Sequence, residues 1–177
     1  MQSTVFRRKF RGASPYKGDL EDMGKVSAFL KRKNVLFSAK RYGIDAMGAM
    51  AQGLFASLLI GTIIKTLGQQ LNVQFLIDAG NFAQQVAGPA MAVSIGAALS
   101  APQLVLYSLI AVGMAANKLG GAGGPLAVYF ITIVASECGK IVSKEPKVDI
   151  LVTPAVTILV GVGLSVLCAP TIGAGSY

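Results

Sequence analysis

Charged side chains thin out after residue 41, and from there apolar runs alternate with short breaks that carry polar residues, glycine or proline. The runs are Ile44 to Leu67, Phe82 to Leu99, Leu104 to Ala116, Leu126 to Val142 and Leu151 to Leu167. As helices rising 1.5 Å per residue, most are long enough to cross a hydrocarbon layer about 30 Å thick, with tilt or local thinning where needed. Leu104 to Ala116 is short for a crossing and reads either as a tilted span or as one arm of a re-entrant hairpin. Residues 65–81 read as an outer linker that holds a short interfacial helix around Val73 to Asp78. The pattern predicts an all-α, polytopic helical membrane protein of about five spans, with short or re-entrant helices broken by glycine and proline.

Small residues recur at helical spacing within these runs. Gly53, Ser57 and Gly61 leave one stripe of the first span almost without side chains, so a neighbouring helix can press against it, and this span is expected to be central. Gly88, Ala92, Gly96 and Ser100 form a second stripe, and Thr157, Gly161 and Ser165 a third. Gly88-Pro89, Gly124-Pro125 and Thr153-Pro154 each place proline at a helix start or break. Broken helices of this kind line transport sites, and a plain packing kink has the same signature. Gly88 and Pro89, and then Gly120, Gly121, Gly123 and Gly124 with Pro125, are the expected hinges. Pro125 suits a first helical turn, where its missing N–H has no partner to lose.

Composition agrees with a membrane protein: 53% of the residues are hydrophobic, 14% are charged and the mean hydropathy is +0.61. The net charge of +8 lies wholly in residues 1–41, with eleven Lys/Arg against three Asp/Glu, because residues 42–177 hold five of each. A basic tail beside membrane spans is what the positive-inside rule predicts, and no nucleic-acid-binding motif accompanies it. We therefore read residues 1–24 as a flexible extension, residues 25–41 as a basic juxtamembrane amphipathic segment and residues 42–177 as the membrane domain. The N-terminus is expected on the cytoplasmic side of the cytoplasmic (inner) membrane. Lys140, Lys144 and Lys147 mark a second cytoplasmic border.

The chemistry on offer is sparse. The chain has no histidine, which excludes a histidine-based triad and makes a zinc site improbable. Cys138 and Cys168 lie in apolar sequence without CxxC spacing and read as structural thiols. GGAGGP lacks the GK[ST] ending and the preceding strand of a phosphate loop, and neither GxSxG nor HExxH occurs. No catalytic residue, metal ligand or cofactor is expected. Glu137 is the main functional candidate, because an ionisable group inside a span is expensive and usually faces a partner or a water-filled path. Lys140, three residues on, offers the alternative of a helix ion pair snorkelling to water. Asn117, Gln52 and Gln84 join Glu137 as the expected substrate-binding set, since uncharged amides suit sugar hydroxyls; they also serve as ordinary caps.

Four stretches carry a resemblance: KNVLFSAKRYGIDAMGAMAQGLFASLLIGTIIKTLG from Lys33, AGPAMAVSIGAAL from Ala87, APQLVLYSLIAVGMAANKLGGAGGPLAV from Ala101 and ECGKIVSKEPKVDILVTPAVTILVGVG from Glu137. In this order they resemble the membrane-integral enzyme IIC-like family of bacterial phosphotransferase-system (PTS) sugar transporters. Chains of that family look about twice as long, so residues 42–177 resemble an N-terminal half only. The resemblance implies a permease component that moves a small polar solute, a sugar, and is at most the IIC component of a phosphotransferase. Phosphate would come from soluble phosphoryl-carrier proteins, because this chain has no phosphorylation site of its own. Further expected partners are membrane lipid and either a second copy in a homo-oligomer or a missing C-terminal half. The alternative is a non-transporting membrane scaffold or truncated regulatory remnant that associates through its small-residue helix faces.

Overall fold

A computed structural model describes residue 28, residues 40–143 and residues 149–174. The chain divides into Met1–Leu36 and Phe37–Tyr177, and the helical bundle belongs to the second unit. The readings of residues 1–24, and of 25–41 save for Ala28, Lys40 and Arg41, lie outside the described residues, as do Lys144 and Lys147.

Helix α1, Lys40–Leu71, runs for 32 residues and is therefore about 48 Å long. Two π-helical turns, Lys40–Asp45 and Phe55–Leu59, interrupt it. It ends where Asn72 takes a left-handed conformation (φ 53°) and the Val73 N–H reaches back to the Gly68 carbonyl, which together make a Schellman cap. The expected outer linker is thus mostly helix. α1 runs on through it, and α2, Gln74–Gln85, folds back along the end of α1. Small residues allow this close return: a Cβ on Gly80 would sit 2.6 Å from the Lys65 backbone N, and one on Gly68 would sit 2.7 Å from that of Ile77.

α2 and α3, Ala87–Ala98, are two parts of one broken rod. The break falls at Val86 (φ −90°, ψ 10°), ahead of the Gly88-Pro89 pair. Within an unbroken helix the Pro89 ring would clash with the carbonyl four residues back, that of Gln85. Breaking at Val86 moves Pro89 into the first turn of α3, and the ladder resumes with the Ala90 N–H on the Val86 carbonyl at 2.9 Å. α3 ends in a second Schellman cap. Ser100 is left-handed (φ 55°), its N–H meets the Ala97 carbonyl, the Ala101 N–H meets the Gly96 carbonyl, and Pro102 stops the helix.

α4, Gln103–Gly120, and α5, Gly124–Val142, are joined by one tight turn at Gly121–Gly123. Gly121 (φ 52°, ψ −122°) adopts a backbone conformation that a side chain would strain. α6, Asp149–Ala174, continues past the expected end at Leu167. Each rod runs antiparallel to the one before it. Gly53 of α1 meets Ala90 of α3, Gly88 and Gly96 of α3 meet Gly113 and Leu109 of α4, Gly139 of α5 meets Val105 of α4, and Thr157 of α6 meets Gly139.

The outer faces are apolar: Phe82, Tyr107, Phe130, Leu159 and Leu167 are exposed, whereas the contacts between helices are made largely by Gly, Ala and Ser. Three helical stretches among the described residues are long and apolar enough to cross a membrane, Lys40–Leu71, Gln103–Val142 and Ile150–Ile172. The second of these is the α4–α5 hairpin. The fold is all-α, and it is that of a polytopic helical membrane protein. One expectation about position fails. Only 17% of the apolar window of α1 is buried, and the enclosed core is formed instead by the short α3 with α4, through Met91, Ala92 and Ile95 against Val105, Leu109 and Val112. The Gly53–Ser57–Gly61 stripe does press against a neighbour, but from the edge of the bundle inward.

Candidate functional site

Where α1 begins, α3 ends and α5 ends, charged groups meet inside the bundle. Lys140 is 2% exposed and Glu137 9% exposed, on successive turns of the same face of α5. The Lys140 ammonium donates to Glu137 Oε1 at 2.6 Å and to the Leu99 carbonyl at 3.1 Å. Arg41 Nη2, from the first turn of α1, donates to the same carbonyl. Leu99 is available because the cap at Ser100 takes the carbonyls of Gly96 and Ala97 instead. Two cations at the C-terminus of α3 also match the partial negative charge of that helix end. Tyr42 lies within the electrostatic reach of Glu137 and Arg41, and its backbone carbonyl accepts a hydrogen bond from the Tyr129 hydroxyl.

The pair is not snorkelling. Lys140 turns inward to a backbone carbonyl of another helix, and its carboxylate partner follows it. In a low-dielectric interior such a pair persists because both ions are bonded to each other and the ammonium has a further acceptor. Tyr129, Thr132, Ser136 and Lys140, spaced by three or four residues, make one buried polar stripe along α5, which the buried Ser143 continues at the helix cap.

The four expected substrate-binding residues are not gathered at one place. Glu137 belongs to the charged cluster. Asn117 lies at the opposite end, about 20 Å away along α5, wedged beside the glycine turn. A Cβ on Gly88 would come 2.6 Å from Asn117 Cβ, and one on Gly124 would come 2.6 Å from Asn117 Oδ1. Gln84 donates to Thr62 Oγ1 at 2.8 Å where α2 lies along α1. Gln52 is exposed on α1. Of the expected hinge residues, Gly88 and Pro89 are buried at the start of α3, and Gly120, Gly121, Gly123, Gly124 and Pro125 form the α4–α5 turn and the first turn of α5. Sequence reasoning missed Arg41, Tyr42, Tyr129 and the Leu99 carbonyl as members of the site. The regular spacing of the α5 stripe was the available signal.

A groove of about 360 Å³ between α5 and α6, lined by Phe130, Ile131, Leu164, Cys168 and Ile172 among others, carries no charged lining residue. It fits a lipid chain better than a polar solute. Among the described residues no cluster of His, Cys, Asp and Glu could hold a metal ion.

Comparison with curated proteins and with solved structures gives no match. Comparison with family models does. The model described as "Phosphotransferase system, EIIC" matches residues 44–175. This corrects the reading that the chain resembles the N-terminal half of such a domain only, because the match takes in nearly the whole of the 177 residues. With the apolar helical bundle, it makes the protein a membrane component of the PTS permease type, and the chain belongs to the phosphotransferase system EIIC family.

Proposed function

We propose that this protein carries a small polar solute, a sugar, across the cytoplasmic membrane as the IIC component of a sugar phosphotransferase system. The observation that carries the reading is the buried Glu137–Lys140 pair, anchored to the end of the broken rod α2–α3. An ion pair inside an apolar bundle is costly unless it is used; here it joins α5 to the end of α3, and Arg41 brings α1 to the same carbonyl, so that the three elements whose relative motion would open one end of the bundle meet there. Glu137 offers a carboxylate to solute hydroxyls, Asn117, Gln52 and Gln84 line the path as the bundle rearranges, and the glycine and proline breaks at 88–89 and 120–125 are the hinges. Phosphate is supplied by separate soluble carriers.

The alternating directions of the rods support five crossings, with α2–α3 as one broken or re-entrant crossing. Positive-inside charge then sets the N-terminus and the α5–α6 connection on the cytoplasmic side. The scaffold reading draws on Gly43, Gly48 and Gly163, which have no atom within 4 Å of a built Cβ and so leave room for a partner helix, including that of a second copy. The stripes at 53–61, 88–96 and 157–165 are already used within the chain, and this favours the permease.

Uptake of a panel of labelled sugars by bacteria with and without this chain, with the soluble phosphoryl carriers present or removed, is the test. The proposal expects uptake that depends on both chain and carriers and is lost in Glu137→Gln while the protein still assembles. Loss of assembly in Ser57→Leu, with no uptake in any strain, would instead establish the scaffold.

A further inference from the structure

Two helical segments leave the bundle together at the end that holds the α4–α5 turn. α4 and α5, of 18 and 19 residues, are about 27 and 29 Å long, close to the hydrocarbon thickness of about 30 Å, so the turn between them marks a membrane boundary. A Cβ on Gly88 would press on Asn117 in the last turn of α4, which sets the start of α3 at that boundary. α2 and the last 12 residues of α1, Ile60–Leu71, about 18 Å long, therefore run on past it as an antiparallel arm.

Both limbs of the arm are irregular at one level. Gly53 meets Ala90 and Gly61 meets Ala83, so the break at Val86 stands opposite the π-helical turn Phe55–Leu59. Helices bend at such irregularities, and here the two lie side by side at the base of the arm.

The side chains change at the same level. One face of α1 runs Phe55, Leu59, Thr62, Thr66 and Gln69 at helical spacing, apolar below the base and polar above it. The opposite face stays apolar beyond the base through Ile60, Ile63, Leu67 and Leu71, all exposed. α2 is divided in the same way, with Phe75 and Phe82 exposed on one face and Gln74, Asp78 and Gln85 on another. The limbs meet through Gly61, Gly68 and Gly80, and Gln84 bridges to Thr62 on the polar side, so both apolar faces emerge on the same side of the arm. Near the tip Phe75 is 76% exposed and Leu71 64%. An arm standing in water would leave its apolar face uncovered, and one sunk in lipid would strand its amides; a lipid–water boundary suits both faces.

We infer that residues 60–85 form a membrane-surface anchor, which bends at the π-turn and Val86 and lies along the lipid–water boundary with its apolar face among the acyl chains. That face joins the exposed apolar side of the first span through Leu59, Ile60 and Ile63, so lipid already adjoins it. The arm carries Lys65 and Asp78 and no other charge, and burial of apolar surface, not attraction to anionic lipid, attaches it. The anchor enlarges the short interfacial helix expected around Val73 to Asp78 into a two-helix element with its own hinge. It does not rest on the transport reading.

The test is spin-label accessibility in the full chain, carrying Cys138→Ser and Cys168→Ser, in phosphatidylcholine vesicles. Nitroxides are placed singly at Leu67→Cys, Leu71→Cys and Phe75→Cys on the apolar face, and at Thr66→Cys, Gln69→Cys and Asp78→Cys on the polar face. All six positions are exposed, so loss of one variant leaves the comparison intact. Phe130→Cys, exposed on α5, identifies vesicles into which the chain has inserted. The ratio of oxygen to water-soluble nickel-chelate collisions is expected to be severalfold higher on the apolar face, at a depth of about 5–10 Å, and unchanged by added salt. Equal nickel access on both faces would place the arm in water, and oxygen-rich signals on both would sink it in hydrocarbon. Shielding of the apolar face from both reagents would mean that protein covers it, and loss of the contrast in salt would mean that charge holds it. Each of these four results would overturn the anchor.

Discussion

Lys140→Met is the sharpest perturbation of the charged cluster. Methionine nearly fills the same space but removes the ammonium that donates to Glu137 Oε1 at 2.6 Å and to the Leu99 carbonyl at 3.1 Å. The carbonyl keeps Arg41, so the loss falls mainly on Glu137, which is only 9% exposed. Removing one partner of a buried pair costs about 3–5 kcal/mol. At about 2–4 °C per kcal/mol for a chain of this length, the unfolding midpoint should fall by about 6–20 °C. Glu137→Gln keeps the shape and an acceptor for Lys140, so a smaller loss of about 1–3 kcal/mol is expected. The double substitution removes both charges and should recover much of the Lys140→Met loss, a non-additivity of at least about 1 kcal/mol. Cys138 and Cys168, both half-buried and unpaired, allow unfolding in detergent to be followed with a thiol-reactive dye. A Lys140→Met protein within about 2 °C of the unsubstituted one, or strictly additive effects, would mean that the pair is water-exposed and worth little.

The backbone sets three further outcomes. Gly139→Leu should destabilise strongly, by about 3 kcal/mol or more, because even a Cβ there would meet Thr157 Oγ1 at 2.5 Å and Val105 Cγ2 at 2.9 Å; Gly48→Ala, with nothing within 4 Å, should be neutral or slightly stabilising in the same dye assay. Ser100→Gly should raise the midpoint slightly and Ser100→Val should lower it, because the Schellman cap of α3 holds residue 100 at φ 55°. Gly121→Ala should cost about 1–2 kcal/mol by strain alone at φ 52°, ψ −122°, and comparison with Ala122→Gly, which leaves residue 121 unchanged, separates that strain from a general effect of the turn.

The helical class, the broad positions of the apolar runs and the glycine turn were legible because each rests on local chemistry, namely hydropathy, small-residue spacing and the tolerance of Pro125 in a first turn. The end of α1 was not. Lys65, Gln69 and Gln70 read as the start of a polar linker, but a helix needs no apolar side chains to continue when Gly68 and Gly80 let α2 lie along it. The break before Pro89 was legible only to within a few residues, since the sequence marks the proline, whereas the helix breaks three residues earlier at Val86 to avoid a clash with the Gln85 carbonyl. The place of α3 in the core was hidden by its brevity, and α1 looked central because a small-residue stripe shows that a helix is pressed without showing from how many sides. In the candidate site, Glu137 and Lys140 stood out by charge. The acceptor of Lys140 on α3 did not, because a backbone carbonyl has no signature in the sequence, and a left-handed serine at position 100 is what leaves it open.

The meeting of Lys140 with Leu99 also bears on how the chain enters the membrane. A lysine and a glutamate in one segment each oppose its partition into lipid, by about 2.5–3.5 kcal/mol for a charged residue near the centre and less toward an edge. The carbonyl that accepts from the lysine lies on α3 and the neighbouring Arg41 on α1, both synthesised before α5. By the time α5 leaves the ribosome, the group that receives its ammonium already exists, and the hairpin with α4 carries Lys140 back to it. The α5 segment should accordingly insert less often when presented without α1–α3 than in the full chain, which glycosylation mapping in microsomes would read directly. A contact that looks like a detail of the finished bundle thus serves as an instruction about the order of its assembly, with the N-terminal helices acting as the template that admits the charged one.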